Sequence, residues 1–383
     1  MASYSMVMSP ALLTTFTAAT GLSQGYGAES KKKGRAGRKG YDKAALLASI
    51  QTLSPSKRTK IRTLATAVGV SVGVVQRLLK ANAIVRHTNT IMPSLTDANK
   101  TDRVRFAVSH VNPETLVFDS MHDVVHIDEK WFNEDVDKRV YYLLSGEQPP
   151  QRRRKSKRFI GKTMFLAAVA RPRKCMFDGK IGLWPFVEEY VAKRNSKNRQ
   201  KGTILTVNIE IMNRDVYRQF LIDCVIPAIK MKWPARDRHN TIYIQQDNTK
   251  PHVFPDDEAI VAAGQNNGWD IRLRFQPPNS PDCNVLDLGY FRAIQSLHYE
   301  QEIYGNDDLI AAVTAAFNTM SVKKLSHVFL SLQSVMKCIM GEFGDNGYKL
   351  PHIAKGSWRG RASSHLASRV IVPCIIPLLH SLP

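Results

Sequence analysis

Apolar positions follow two rhythms along this chain. Between Tyr41 and Ala83 the spacing is helical. KAALLASI predicts a short helix, and SPSKRTKIRTLATAV (54–68) predicts a second. After the turn GVS, Ser71 is placed to N-cap a third helix, VGVVQRLLK. Val74, Val75, Leu78 and Leu79 form its inward stripe, so Gly73, Gln76, Arg77 and Lys80 face outward. Two helices joined by a short Gly-containing turn read as helix-turn-helix. Residues 84–111 start extended and turn helical after Thr96, a second N-cap candidate. From there the rhythm changes to short apolar runs bounded by turns and charges. VVHID, RVYYLL and KTMFLAAVA predict three successive strands, and TIYIQQD and IRLRF predict two more. Between these groups NRDVYRQFLIDCVIPAIKMKW predicts an amphipathic helix, kinked or broken at Pro227. Helices over 309–317 and 328–340 close the region. This order is α/β, preceded by an all-α unit.

Charge changes the picture more than composition does. A chain of 383 residues has room for more than one domain, and 43% hydrophobic content is ordinary. A net charge of +21 and a pI near 9.8 are not. Such an excess favours a polyanion, nucleic acid first and an anionic membrane surface second. Six cations in KKKGRAGRKG (Lys31, Lys32, Lys33, Arg35, Arg38 and Lys39) predict a flexible basic arm following a disordered leader over 1–30. It suits DNA phosphates, the minor groove or nuclear import. Gln76, Arg77 and Lys80 are the outward residues of the presumptive recognition helix, suited to adenine, guanine and phosphate. A third basic stretch, with Arg152, Arg153, Arg154 and Lys155, predicts a loop that clamps DNA or a second subunit. No apolar run is long enough for a membrane helix. Five cysteines without a C-x-x-C pair argue against a zinc ribbon or a disulfide scaffold.

The candidate chemistry is carboxylate chemistry. Asp128 lies in the apolar run VVHIDEKWF, Asp247 directly follows the strand TIYIQQ, and Asp287 begins a helix after a Pro-rich turn. Carboxylates at strand ends and a helix start suit hard divalent cations, which prefer oxygen ligands. Two such ions held about 3.5–4 Å apart activate a water and stabilise the leaving oxygen in phosphodiester cleavage. His126 shares a strand face with Asp128, while Glu129 points the other way, and both read as structural. Asn248 and His252 follow the second acid and are placed to orient the substrate or a water. There is no P-loop for nucleotide-driven chemistry and no G-x-S-x-G motif for covalent catalysis.

HIDEKWF, QQDN and PPNSPDCNVLDLGYFRAIQSL resemble the three acidic blocks of the mariner/Tc1 superfamily of DNA transposases, most closely the plant-type mariner-like elements. GKTMFLAAVARPR, FDGKIGLWPFV, KRNSKNR and NRDVYRQFLIDCVIPAIKMKWP resemble the same branch. Together these blocks span roughly residues 43–355. In that branch 39 residues separate the second and third catalytic Asp, as they do here between Asp247 and Asp287. Asp282, with 34 residues between it and Asp247, matches the animal mariner interval instead. In the family, however, the SPD aspartate precedes the catalytic acid by five residues, so Asp282 reads as a turn residue. Cys283 stands where the family usually has Leu, and the resemblance fades after Lys355.

The resemblance implies an RNase H-like catalytic domain (a mixed five-stranded sheet with flanking helices) behind helix-turn-helix DNA-binding units. It implies Asp128, Asp247 and Asp287 holding two Mg²⁺ (or Mn²⁺) ions. It further implies binding to double-stranded DNA at terminal inverted repeats, cut-and-paste transfer to TA target sites, action as a homodimer and a nuclear location. The organisation expected is a leader and arm over 1–40, a helix-turn-helix unit over 41–83 and a linker over 84–119. A DDD catalytic domain over 120–355 and an unassigned tail over 356–383 follow. Two other readings stay open. One is a transposon-derived DNA-binding protein whose catalysis has decayed. The other is a structure-selective RNase H-like nuclease without strand transfer.

Overall fold

The two rhythms correspond to two units, Met1–Thr90 and Ile91–Pro383. The computed structural model describes residues 40–88, 91–153, 160–173, 176–197 and 199–349. The arm cations Lys31, Lys32, Lys33, Arg35, Arg38 and Lys39, the loop cations Arg154 and Lys155, and the segment 356–383 lie outside the described residues.

In the first unit α1 (Lys43–Thr52), α2 (Ile61–Ala67) and α3 (Val72–Lys80) enclose a core of Leu46, Ile50, Leu64, Ala65, Val74, Val75 and Leu78. Asp42 caps α1 by accepting from the Ala44 and Ala45 amides. Gly69, at φ +67°, supplies the left-handed turn between α2 and α3. The single helix expected over 54–68 is in fact a 3₁₀ turn, Pro55–Arg58, followed by α2. Arg58 accounts for the break. Its guanidinium folds back onto the Gln51 and Leu53 carbonyls and so closes the end of α1. Ser71 occupies the N-cap position of α3 without a side-chain capping bond, and Leu79 is half-buried beside the inward stripe.

The second unit begins with α4 (Asp97–Ser109), capped by Thr96 in a reciprocal box with Asn99. A two-stranded ribbon follows, β1 (Val111–Asn112) and β2 (Val117–Phe118). Next come β3 (Val124–Asn133), β4 (Lys162–Ala170), β5 (Lys180–Pro185) and a hairpin of β6 (Val187–Val191) and β7 (Ile204–Asn208). A helical stretch runs through α5 (Arg214–Phe220), a π turn (Leu221–Val225) and α6 (Ile226–Lys232). Pro227 is accommodated where the π turn passes into α6. Then follow β8 (Ile242–Gln246), α7 (Glu258–Gly264), β9 (Ile271–Phe275), α8 (Phe291–His298), α9 (Asn306–Thr319) and α10 (Val322–Gly341).

The main sheet has the order β5-β4-β3-β8-β9, with β3 antiparallel to β4 and parallel to β8. It is the mixed five-stranded sheet expected, with one substitution among its members. RVYYLL is not a strand, and β5 takes the outer place beside β4. The run 139–144 pairs with no strand among the described residues, so its β-prone side chains have no ladder to join. The sheet is buried on both faces. Val125, Ile127, Leu166, Ile242 and Ile244 face α5–α7, and Phe132, Phe165, Ala167 and Val169 face the α4 and α8–α10 layer. The expected linker 84–119 is therefore divided. From Ile91 it belongs to the second unit, and α4 buries Arg103, Val104, Ala107 and Val108 there.

A Cβ added at Gly264, the last residue of α7, would lie 2.3 Å from the Ile271 carbonyl oxygen of β9, whereas at Gly341 it would meet nothing within 4 Å. Gly264→Ala is therefore expected to cost about 1–3 kcal/mol and to lower Tm by roughly 3–10 °C. Gly341→Ala, ending α10, should leave Tm unchanged or raise it slightly. Thermal unfolding of the two variants side by side checks the packing of α7 on β9.

Candidate active site

Two of the three acids are brought near one another by the pairing of β3 with β8. In the parallel pair Val125 lies opposite Ile244 and His126 opposite Gln245. β8 ends at Gln246, so Asp247 lies just past its end, close enough to Asp128 on β3 for the two charges to repel. On β3, Asp128 falls on the face that carries His126. His126 does not approach the acids. It is fully buried, accepts from Gln245 Nε2 (3.3 Å) and packs edge-on against Phe329.

Asp287 arrives from a π turn, Leu286–Tyr290, that opens into α8. Gly289, at φ 138°, gives this turn a conformation that other residues rarely adopt. The Asp287 carboxyl shares a hydrogen bond with Asp128. Burial, then repulsion from Asp287, Glu129 and Asp247, pushes the Asp128 carboxyl up to about 9. Asp287 is also raised, by the protein crowding its carboxyl, although the Asp128 bond and the Lys130 charge oppose the rise. The two acids thus share a proton at neutral pH when nothing else neutralises them. Asn284, itself buried, donates to the Ile127 carbonyl (3.2 Å) and to Asp128 Oδ2 (3.3 Å), and accepts from the Leu286 amide.

Asp247 is managed differently. Burial works to raise its carboxyl, but His252 and the Thr249 donors outweigh it and hold the carboxyl below the usual range. His252 Nδ1 lies 2.7 Å from Asp247 Oδ1, and Nε2 lies 3.1 Å from Glu129 Oε2. Burial opposes a charge on this imidazole, yet the two carboxylates push it up to about 10, so it stands as a cation between them. Tyr217 of α5 stacks on the ring (centroids 4.3 Å apart, 17° between planes). Glu129, on the opposite strand face from Asp128 as alternation requires, is therefore a structural partner of His252. Asn248 is exposed and donates to the Gln276 carbonyl at 3.3 Å. Among the described residues no three His, Cys, Asp or Glu side chains form a ready-made cage around one ion.

Asp282 is a turn residue, in a 3₁₀ turn Pro281–Cys283, and takes no part in the acid pair. Cys283 is fully buried in the core, so its departure from Leu is a change of size in an apolar site and introduces no reactive thiol. Lys130 and Asn284 are the site residues that the sequence reading passed over. Lys130 was detectable two positions beyond Asp128 on the same strand face, whereas Asn284 had no local signal. In the first unit Gln76, Arg77 and Lys80 are exposed, as the stripe required. Arg152 is engaged by Asp135 (2.7 Å) and Arg153 by Gln151 (2.6 Å). Both line a groove of about 980 Å³ with Glu134, Arg139, Tyr141 and Glu300.

No protein-family model matches the chain, and no curated protein matches it in sequence. Solved structures do. A Mos1 transposase paired-end complex with the left transposon end aligns at TM-score 0.52 and 18% identity, over 81% of this chain and 81% of that one. The Mos1 mariner paired-end complex with Mn aligns at 0.53 and 16%, over 83% and 85%. The Mos1 strand transfer complex aligns at 0.52 and 18%, over 82% of each. At these identities the likeness establishes architecture. With the sheet order described, the larger unit has an RNase H-like fold, preceded by an all-α unit.

Proposed function

We propose that this protein is a mariner/Tc1-type DNA transposase, of the plant-type branch, that acts by metal-dependent cleavage and strand transfer. The observation that carries the reading is the meeting of three acids from distant parts of the chain. Asp128 lies within β3, Asp247 directly follows the parallel β8, and Asp287 shares a hydrogen bond with Asp128. The site suits divalent cations, because its donors are carboxylate oxygens and the Asp128–Asp287 pair is crowded by negative charge that a proton now relieves. Asp128, Asp247 and Asp287 would hold two Mg²⁺ or Mn²⁺ ions. Bound there, the cations supply a water activated at neutral pH and stabilise charge on the leaving oxygen. Asn284 fixes Asp128 Oδ2, and His252 fixes Asp247 from behind through Glu129. The free 3′-OH then attacks target DNA without an enzyme-linked intermediate.

In this reading α3 meets the terminal inverted repeats in the major groove with Gln76, Arg77 and Lys80. The basic arm tracks neighbouring phosphates, and the basic stretch that includes Arg152 and Arg153 clamps DNA or a second subunit. Val140, Tyr142 and Leu144 are exposed apolar residues in one short extended run, which supports pairing of two copies. A nuclear location completes the proposal.

Three outcomes test it. Purified protein with DNA carrying the element's own ends should nick at those ends with Mg²⁺ but not with EDTA. Asp247→Ala should lower the rate about 10²–10⁴-fold. Specific binding without nicking under Mg²⁺ or Mn²⁺ would sink the enzyme reading in favour of a decayed DNA-binding protein. In a binding titration at fixed salt, Arg77→Ala should cost about 1–3 kcal/mol on the cognate end and much less on random DNA. Stability supplies the third. With the Asp128 carboxyl raised, the folded chain keeps a proton between pH 3.8 and about 9 that the unfolded chain has released, so metal-free stability falls as pH rises through this window. Asp128→Asn in EDTA should therefore raise Tm at pH 8 by at least about 2–4 °C. The difference should vanish near pH 4, and an equal offset at both pH values would count against the shared proton.

A further inference from the structure

Two separate hydrogen-bonded paths lead from α4 to Asp282 and Cys283, five and four residues ahead of Asp287. The first starts at Arg103, which is fully buried in the middle of the helix. Its Nη1 and Nη2 donate to Asp282 Oδ1 and Oδ2, both at 2.7 Å, so the guanidinium grips both carboxylate oxygens. Its Nε donates to the Gly344 carbonyl at 2.8 Å, and Nη2 also reaches the Tyr348 hydroxyl, which donates in turn to Asp282. Gly344 is required for this approach. Its φ is +88°, and a Cβ there would lie 2.2 Å from the Lys100 carbonyl oxygen of α4.

The second path starts at His110, the C-cap of α4. Its Nδ1 donates to the Phe106 carbonyl (2.8 Å), which leaves Nε2 to accept from Arg274 of β9 (3.2 Å). Arg274 donates to Gln245 Oε1 (3.0 Å), and Gln245 Nε2 donates to the Cys283 carbonyl (3.1 Å). The two paths thus end on adjacent residues, Asp282 and Cys283. The next residue is Asn284, whose amide holds Asp128 and whose carbonyl oxygen receives the Leu286 amide one residue before Asp287.

We propose that Arg103 is a positioning residue for the metal-binding acids, acting through Asp282 on Asn284 and Asp287. The inference rests on the reading of Asp128, Asp247 and Asp287 as metal ligands and deepens it. A bidentate ion pair with a fully buried guanidinium is more than the turn needs in order to fold, since an apolar pair of similar size would serve stability as well or better. It does fix the direction from which the turn 280–287 enters the site. Lysine at position 103 keeps the charge but loses the planar fork. Asparagine at 282 keeps the shape but loses the charge.

The test measures metal uptake apart from turnover, on the full chain. Mn²⁺ is titrated calorimetrically into wild type, Arg103→Lys, Asp282→Asn and Asp247→Ala, with circular dichroism to establish folding. Wild type should take up Mn²⁺ and Asp247→Ala should lose that uptake. Folded Arg103→Lys and Asp282→Asn should need about tenfold or more Mn²⁺ for half-saturation, as changes behind metal ligands do. Nicking by both variants should return to within about threefold of wild type at saturating Mn²⁺, with unchanged affinity for end DNA. A purely stabilising pair would lower Tm and leave Mn²⁺ half-saturation where it was, and that result overturns the inference alone. If Arg103→Lys does not fold, Asp282→Asn decides the question by the same criterion. No Mn²⁺ uptake by wild type would overturn the metal-site reading and this inference with it.

Discussion

The parallel pairing of β3 with β8 is the constraint on which the rest of the molecule depends. Side chains alternate across a strand, so a slip of one residue would turn Asp128 or Asp247 to the opposite face. The register is held from both sides. Val125, Ile127, Ile242 and Ile244 bury one face under α5–α7, and β4 pairs with β3 from Val125 to Asn133. At Val125 and His126 the strand is paired on both edges, to β4 and to β8. The carboxylates inherit their separation from a buried aliphatic layer several residues away.

Around that frame the protein treats its carboxylates in two ways. Asp247 and Asp282 are each matched to a buried cation of the chain itself, His252 and Arg103. Both pairs are held in fixed hydrogen-bond geometry, which is the condition for burying charge at tolerable cost. Asp128 and Asp287 are given each other, with Glu129 and Asp247 adding negative charge and Lys130 opposing it. Two like groups in contact favour a proton or an exchangeable cation over any permanent partner. The contrast separates acids whose charge the chain itself balances from a pair whose charge it leaves unbalanced.

Much of this was legible in the sequence, for identifiable reasons. The α3 boundaries, the Thr96 cap, β3, β4, β8 and β9 all rest on strong local patterns, a 3.6-residue stripe or dense β-branched runs bounded by turns. The three acids were visible because each sits next to such a pattern. What failed, or was missed, depends on distant partners. RVYYLL has strand composition but no ladder, while KIGLWP, broken by Gly and Pro, found one on β4. The 54–68 helix broke because a single arginine turned back to the preceding helix. Asn284 acquires its contacts only when β3 and the turn at 280–287 assemble, and no spacing rule encodes that. Arg103 looked like one more cation on a linker helix in a chain of net charge +21.

The placement of α4 bears on how such proteins can be recombined. A helix that follows the three-helix unit in sequence and precedes the five-stranded sheet invites exchange at either of its ends, but the two ends are not equivalent. A chimaera joined within 81–96 keeps Arg103 and His110 with the turn they hold, and delivers the sheet with its supports intact. One joined near residue 111 or 120 keeps every acid yet takes its α4 from another parent, which has no reason to present a guanidinium to Asp282. Exchange of the N-terminal unit is thus physically favoured on the N-terminal side of α4. The helix should travel with the sheet as its inherited companion.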